Sequence, residues 1–314
     1  MTYRPWFSRE GVQPRVGIEL EMNGVTVTGT PLNCAKLARA LNGAGLQYPV
    51  NNSNGYTHSN GANWDVKTDG SCGLEVATPA VTLDEEGNSA ELKAGIEAVA
   101  ALRPQVNRAC GLHVWLEVRD FDWQDMKRLL ALWARYEAAY FSMLPKSRRA
   151  DPSGNSHDGR TIYCRAMRKV EWDGAESMYW GGYKRAIEAN SERAFRTAAQ
   201  GVATKYQALN ISQWWRTGRI EFRLHSGTVD YEKVRNWVKV LLALAARVKA
   251  SHLPKVACTT SFPFDAFNGV STRAWMKALG VVASRGNEVP ESNEELVQWV
   301  HARRVQFRSQ NARI

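Results

Sequence analysis

Residues 16–22 read VGIELEM, residues 112–118 read LHVWLEV and residues 219–225 read RIEFRLH. In the first stretch Val16, Ile18, Leu20 and Met22 alternate with Gly17, Glu19 and Glu21. In the second, Leu112, Val114, Leu116 and Val118 alternate with His113, Trp115 and Glu117. In the third, Ile220, Phe222 and Leu224 are opposed by Arg219, Glu221, Arg223 and His225. Successive side chains of a strand point to opposite faces, so each stretch buries one row and turns a sparse ionisable row the other way. Two shorter stretches repeat the pattern. In GLEVA (73–77) Leu74 and Val76 oppose Glu75, and in YQALNIS (206–212) Leu209 and Ile211 oppose Ala208 and Asn210. A plain solvated sheet face carries Thr, Lys, Ser and Gln; this one is short of Lys and rich in Glu.

Helical spacing marks residues 32–42, 85–102, 122–143, 183–199, 230–250 and 292–304. The clearest stripe is Met126, Leu129, Leu130, Trp133, Tyr136, Tyr140 and Phe141, with Asp122 as N-cap and Asp125 at the third helical position. The expected class is therefore α+β, with one sheet burying its apolar rows under helices. Residues 42–62 and 145–160 are rich in Asn, Gly, Ser and Pro and read as surface loops. Neither divides the chain into self-sufficient halves. Residues 1–250 are expected to form the main domain, and 251–314 a helical extension packed on it.

The 314 residues have 44% apolar and 23% charged content, which excludes a disordered or fibrous chain. The net charge of +10 is uneven: residues 1–150 carry 16 basic and 16 acidic groups, so residues 151–314 supply the whole excess. A basic C-terminal half favours an anionic partner. The five cysteines form no C-x-x-C pair, which argues against a disulfide framework or a structural zinc site and suits a reducing cytoplasm. No signal-peptide core opens the sequence, and the longest apolar run, Val240 to Ala246, is far short of the roughly 20 residues of a membrane span. The expectation is a cytoplasmic protein without a membrane partner.

If Glu19, Glu21, Glu75 and Glu221 converge, each pair of charges about 4 Å apart repels by about 4 kcal/mol at an effective dielectric near 20. Such crowding is costly against the marginal stability of a domain, and a divalent cation relieves it. An oxygen-rich set with at most one imidazole selects Mg²⁺ or Mn²⁺, and Mg²⁺ completes its shell with water and substrate phosphates. Arg223, two residues from Glu221, suits a transferring phosphoryl group; as a surface ion pair it would contribute only about 0–1 kcal/mol. His113 taken alone reads more often as a structural histidine, which its place beside Gly111 weakens only modestly. The sequence has no P-loop, kinase signature, G-x-S-x-G or H-E-x-x-H. A nucleotide would therefore need another architecture.

The ordered motifs GIELEM (17–22), TDGSCGLEVATP (68–79), CGLHVWLEV (110–118), KYQALNIS (205–212) and RIEFRLHSGTVD (219–230) resemble the putative amidoligase family. That family is a branch of the carboxylate–amine ligases with the glutamine synthetase and glutamate–cysteine ligase fold. The resemblance runs from about residue 15 to about residue 250. It implies an antiparallel sheet forming an open cup, helices on its other face, and ATP with Mg²⁺ ions in the cup. Glu19, Glu21, Glu75 and Glu221 resemble the family's metal ligands, with His113 touching metal or phosphate. Arg223 resembles its γ-phosphate clamp. Asp69 and Ser71 lie in the D-G-S segment. Lys205, Asn210, Arg148, Arg149 and Arg219 fall where nucleotide or substrate contacts are expected. Trp115 stands where members often carry a second histidine; it cannot bind Mg²⁺ but can stack on a base or an apolar group. A bacterial or phage origin is implied in the same way.

The implied reaction is ATP-driven amide formation: a carboxylate attacks the γ-phosphorus, and an amine then displaces phosphate from the acyl phosphate. Asp69 and Glu117 are the candidate bases. Two other readings share these residues. One is a Mg²⁺-dependent phosphohydrolase. The other is a basic nucleic-acid binder, since residues 160–250 hold 17 basic and 8 acidic residues interleaved with aromatics. An acidic polymer or modified nucleic acid as carrier of the substrate would join the ligase and binder readings.

Overall fold

A computed structural model describes residues 15–53, 55, 61–84, 86–148, 164–167, 180–249, 271–282 and 291–311. Arg149 and the rest of the expected 145–160 loop beyond Arg148 lie outside these residues, as do residues 54 and 56–60 of the first loop. The chain forms two compact units, one from Gln13–Glu117 with His225–Val238, the other from Val118–Leu224 with Lys239–Ile314.

The first unit is built on an open, mainly antiparallel sheet. Its strands are β1 (Arg15–Met22), β2 (Val50–Asn52), β3 (Trp64–Asp69), β4 (Gly73–Ala77), β5 (Val81–Thr82) and β6 (Gly111–Glu117). The spatial order is β2-β3-β4-β1-β6, with β5 also pairing with β1. Only β2 runs parallel to its neighbour, β3. The alternation in β1 works as its sequence dictates: Val16, Ile18, Leu20 and Met22 are all fully buried. Beside them lie Trp64, Val66, Val76, Leu112 and Val114, and each apolar side chain so buried contributes roughly 1.5–3 kcal/mol. Helices α1 (Cys34–Asn42) and α2 (Ala90–Ala101) add buried Leu37, Leu41, Ile96 and Val99. Asn33 and Ser89 cap these helices, accepting from the Lys36 and Leu92 amides at 3.0 and 3.2 Å. Ser89 explains why α2 starts five residues later than its periodicity suggests. Glu91 in its first turn accepts from the Trp64 indole at 2.8 Å and the Gln47 amide at 2.9 Å.

The second unit carries α3 (Trp123–Phe141), α4 (Trp180–Glu188), α5 (Glu192–Gln200), strand β7 (Leu209–Asn210), the short α6 (Trp214–Thr217) and strand β8 (Arg219–Ser226), whose last two residues belong to the first unit. Helix α7 (Tyr231–Lys249) is likewise shared, and α8 (Thr272–Ala278) and α9 (Glu291–Asn311) follow. Asp122 and Asp125 form a full capping box at α3. The expected stripe of α3 packs on β8: Trp133 stacks on Tyr140 at 4.5 Å and meets Phe222 at 5.4 Å, while Tyr140 meets Trp275 of α8 edge-on at 4.8 Å. Arg304 of α9 donates to the Ser142 and Thr272 hydroxyls at 2.9 and 3.0 Å.

Two expectations need correction. The helix expected over 183–199 is two helices, because Ser191 caps a new one by accepting from the Ala194 amide at 3.3 Å. The strand expected over 206–212 is a strand only at Leu209–Asn210, preceded by an isolated bridge from Gln207 to Arg165. It is trimmed by local turns: the Gln207 amide oxygen accepts from the Thr204 hydroxyl at 2.6 Å, and Asn210 Oδ1 accepts from the Ser212 amide at 3.0 Å.

Among the described residues, no helix is long and apolar enough to cross a membrane.

Candidate active site

The second face of the first unit's sheet is buried, not solvated. Register explains what gathers there. Glu21 of β1 faces Glu75 of β4, and Glu75 in turn faces Lys67 of β3. One pair along, Glu19 faces His113 of β6, and Gly17 faces Trp115. Because these residues all have the parity opposite to the core rows, the pleat puts them on one face. Glu21, Glu75, Lys67 and His113 are each no more than 7% exposed, which for charged residues demands partners.

The partners are specific. Lys67 Nζ lies 2.9 Å from Glu75 Oε1. The imidazole of His113 bridges the E-x-E carboxylates, with Nδ1 3.1 Å from Glu19 Oε2 and Nε2 3.5 Å from Glu21 Oε1. The Gly111 amide donates to Glu21 Oε2 at 2.5 Å. Burial, with Glu19 and Glu21 nearby, pushes the Glu75 carboxyl up to about 8 in spite of Lys67. Three carboxylates thus share one sheet face with Lys67 and His113.

Trp115 occupies the space that Gly17 leaves free. A β-carbon built on Gly17 would sit 1.8 Å from Cζ2 of the indole, so the ring lies flat across the β1 backbone. Glu117, on the same face, pairs with Arg15 at 3.0 Å.

Asp69 closes the β3–β4 turn. Its Oδ1 accepts from the Ser71 amide at 2.7 Å, from the Ser71 hydroxyl and from the Cys72 amide at 3.3 Å. Burial alone would raise its carboxyl, but these donors hold it below the ordinary value. Asp69 and Ser71 are therefore engaged with one another in the turn.

In the second unit, Asn210 faces Glu221 across the β7–β8 pair and donates to Glu221 Oε2 at 2.8 Å. Arg223 donates through Nη1 to Glu221 Oε1. Both side chains of the E-x-R motif are less than a fifth exposed. Arg219 shares their face of β8. Arg148 is buried at 3% exposure and donates to the main-chain carbonyls of Arg223 at 2.7 Å and Leu224 at 3.5 Å, which secures the strand from its backbone. Lys205 is exposed and lies 5.4 Å from the Tyr206 ring.

Sequence reasoning missed Lys67 and Asp65. Both sit on the buried polar face of β3, where Asp65 accepts from the Asn51 side-chain amide at 2.8 Å. The signal was present in WDVKTD (64–69), whose Trp64 and Val66 alternate with Asp65, Lys67 and Asp69.

The chain belongs to the amidoligase family: the family described as putative amidoligase enzyme matches residues 13–245. That assigns it to a family of ligases. No curated protein matches the sequence.

Proposed function

We propose that the protein is an ATP-dependent carboxylate–amine ligase acting through an acyl phosphate. The observation that carries this reading is the gathering of half-buried Glu19 with buried Glu21 and Glu75 on one sheet face around His113. Lys67 and His113 lie among these carboxylates, and a divalent cation would add the charge that favours their ionised forms. Their oxygen donors with one imidazole suit Mg²⁺ or Mn²⁺. When bound, that cation would supply charge neutralisation of the triphosphate.

The chain's own residues then divide the work. Glu19, Glu21 and Glu75 hold the metal side, with Gly111 and His113 fixing Glu21. In the second unit, Glu221 would offer a carboxylate to a cation, and Arg223 would turn its guanidinium to the γ-phosphoryl oxygens as a substrate carboxylate attacks. Asn210 holds Glu221 in its rotamer, and Arg148 fixes the strand that carries both. Trp115 in the first unit and Arg219 in the second would each serve nucleotide or acceptor contacts. Displacement of phosphate by the amine requires loss of a proton from nitrogen. Both carboxylates expected as base are engaged in the structure, Asp69 in its turn and Glu117 with Arg15, so the base would have to leave its partner.

The test is ADP and amide formation from ATP, Mg²⁺ and pools of carboxylates and amines. Amine-dependent ADP release is the expected result. Phosphate release that ignores the amine would replace the reading with a phosphohydrolase. Failure of ADP release together with failure of nucleotide binding would remove it.

A further inference from the structure

We propose that the surface formed by α5 and α6 in the second unit binds single-stranded nucleic acid. Between residues 180 and 219 the chain carries seven basic side chains and two acidic ones, Glu188 and Glu192. The cations are not scattered. A cleft of about 790 Å³ runs beside α5, lined by Arg185, Ser191, Arg193, Thr197 and Gly201. Arg193 and Arg196 are three residues apart and so share one side of the helix, and both are exposed. Phe195 and Ala199 of the same helix are buried and anchor it.

Arg196 also reaches an aromatic pair on α6. The Arg196 guanidinium lies over the Trp215 ring at 5.7 Å. Trp215 is braced by Phe195 at 5.9 Å and meets Trp214 at 5.2 Å, and both indoles are half-buried. Arg216, exposed, follows directly. Phosphates would lie along Arg185, Arg193 and Arg196, and unpaired bases on the indoles. Base–aromatic stacking contributes about 1–3 kcal/mol per base and tolerates any sequence. A duplex hides its base faces, and an acidic polypeptide has none, so the combination of cations and rings favours a single strand. This surface lies outside the residues assigned to ligation, and its test does not depend on ATP turnover.

The experiment uses the full chain and a labelled oligothymidylate, with anisotropy read between about 50 and 200 mM salt. Binding should weaken steeply with salt and quench tryptophan fluorescence. The double variant Arg193→Ser/Arg196→Ser changes two exposed side chains and should keep the wild-type melting curve. It should bind at least tenfold more weakly, with a log–log salt slope shallower by roughly 1.4. Three results would overturn the proposal: no binding at the lowest salt, undiminished binding by the double variant, or competition by duplex or polyglutamate equal to that of the oligothymidylate without quenching.

Discussion

Trp115 lies on the bare backbone of Gly17, 1.8 Å from where a side chain would begin. The pair is cross-strand, Gly17 on β1 facing Trp115 on β6, and each residue explains the other. Gly17→Ala should therefore force the indole off the sheet. Overpacking of this kind costs about 1–3 kcal/mol, read as a lower urea midpoint. Trp115→Leu in the same background should recover most of the loss. A Gly17→Ala protein as stable as wild type would show that the ring moves freely and is not part of the floor.

Arg223 and Glu221 give the second expectation. Arg223→Lys keeps the charge but loses the planar fork, and Glu221→Gln keeps the shape but loses the charge. Each should lower kcat for ADP release at least 100-fold, the scale seen when one transition-state donor is removed. Circular dichroism and melting should change little, because Phe222 and Leu224 rather than these side chains anchor β8. Loss of kcat without loss of fold separates a phosphoryl clamp from a mere surface pair.

How much of this was legible depends on which face of a strand one asks about. The core rows of β1, β6 and β8 follow from alternation alone, since an apolar residue at every second position has only one way to be buried. The polar rows were readable as rows, but their burial was not, because alternation does not say what covers the second face. Register was also invisible: nothing in the order of residues says that Lys67 lands beside Glu75 or that His113 lands between Glu19 and Glu21. The split of α4 from α5 at Ser191 and the trimming of the 206–212 strand turn on side chains that bond to nearby main chain, which hydrophobic periodicity ignores.

Asp69 provides a test that separates a turn residue from a catalytic one. Its carboxyl lies below its ordinary value of 3.8 because Ser71 and Cys72 donors outweigh burial. A carboxylate whose folded pKa is depressed stabilises the protein above the unfolded pKa, and that stabilisation is lost as pH falls through the folded pKa. Asp69→Ala should therefore cost about 1 kcal/mol at pH 7, the usual net worth of such hydrogen bonds. The gap to wild type should close in acid, below about pH 3.8. Activity should fall far less than in Glu221→Gln. A large drop in kcat with unchanged stability would instead make Asp69 the base.

The metal side predicts opposite effects on stability and on binding. Glu75 is buried among carboxylates, so Glu75→Gln removes repulsion while leaving an oxygen for Lys67 at its 2.9 Å position. Without metal, the variant should melt at or above the wild-type temperature. With Mg²⁺ at about 100 times its dissociation constant, the wild type should gain about 2.7 kcal/mol, because the ion binds only the folded carboxylate set. For a unit of this size that is several degrees, at roughly 2–4 °C per kcal/mol. Glu75→Gln and Glu21→Gln should lose most of this gain, and EDTA should reverse it in the wild type. A wild-type melting curve indifferent to Mg²⁺ and Mn²⁺ would mean that Lys67 and His113 already balance the carboxylates, and the buried face would then be structural rather than a seat for a cation.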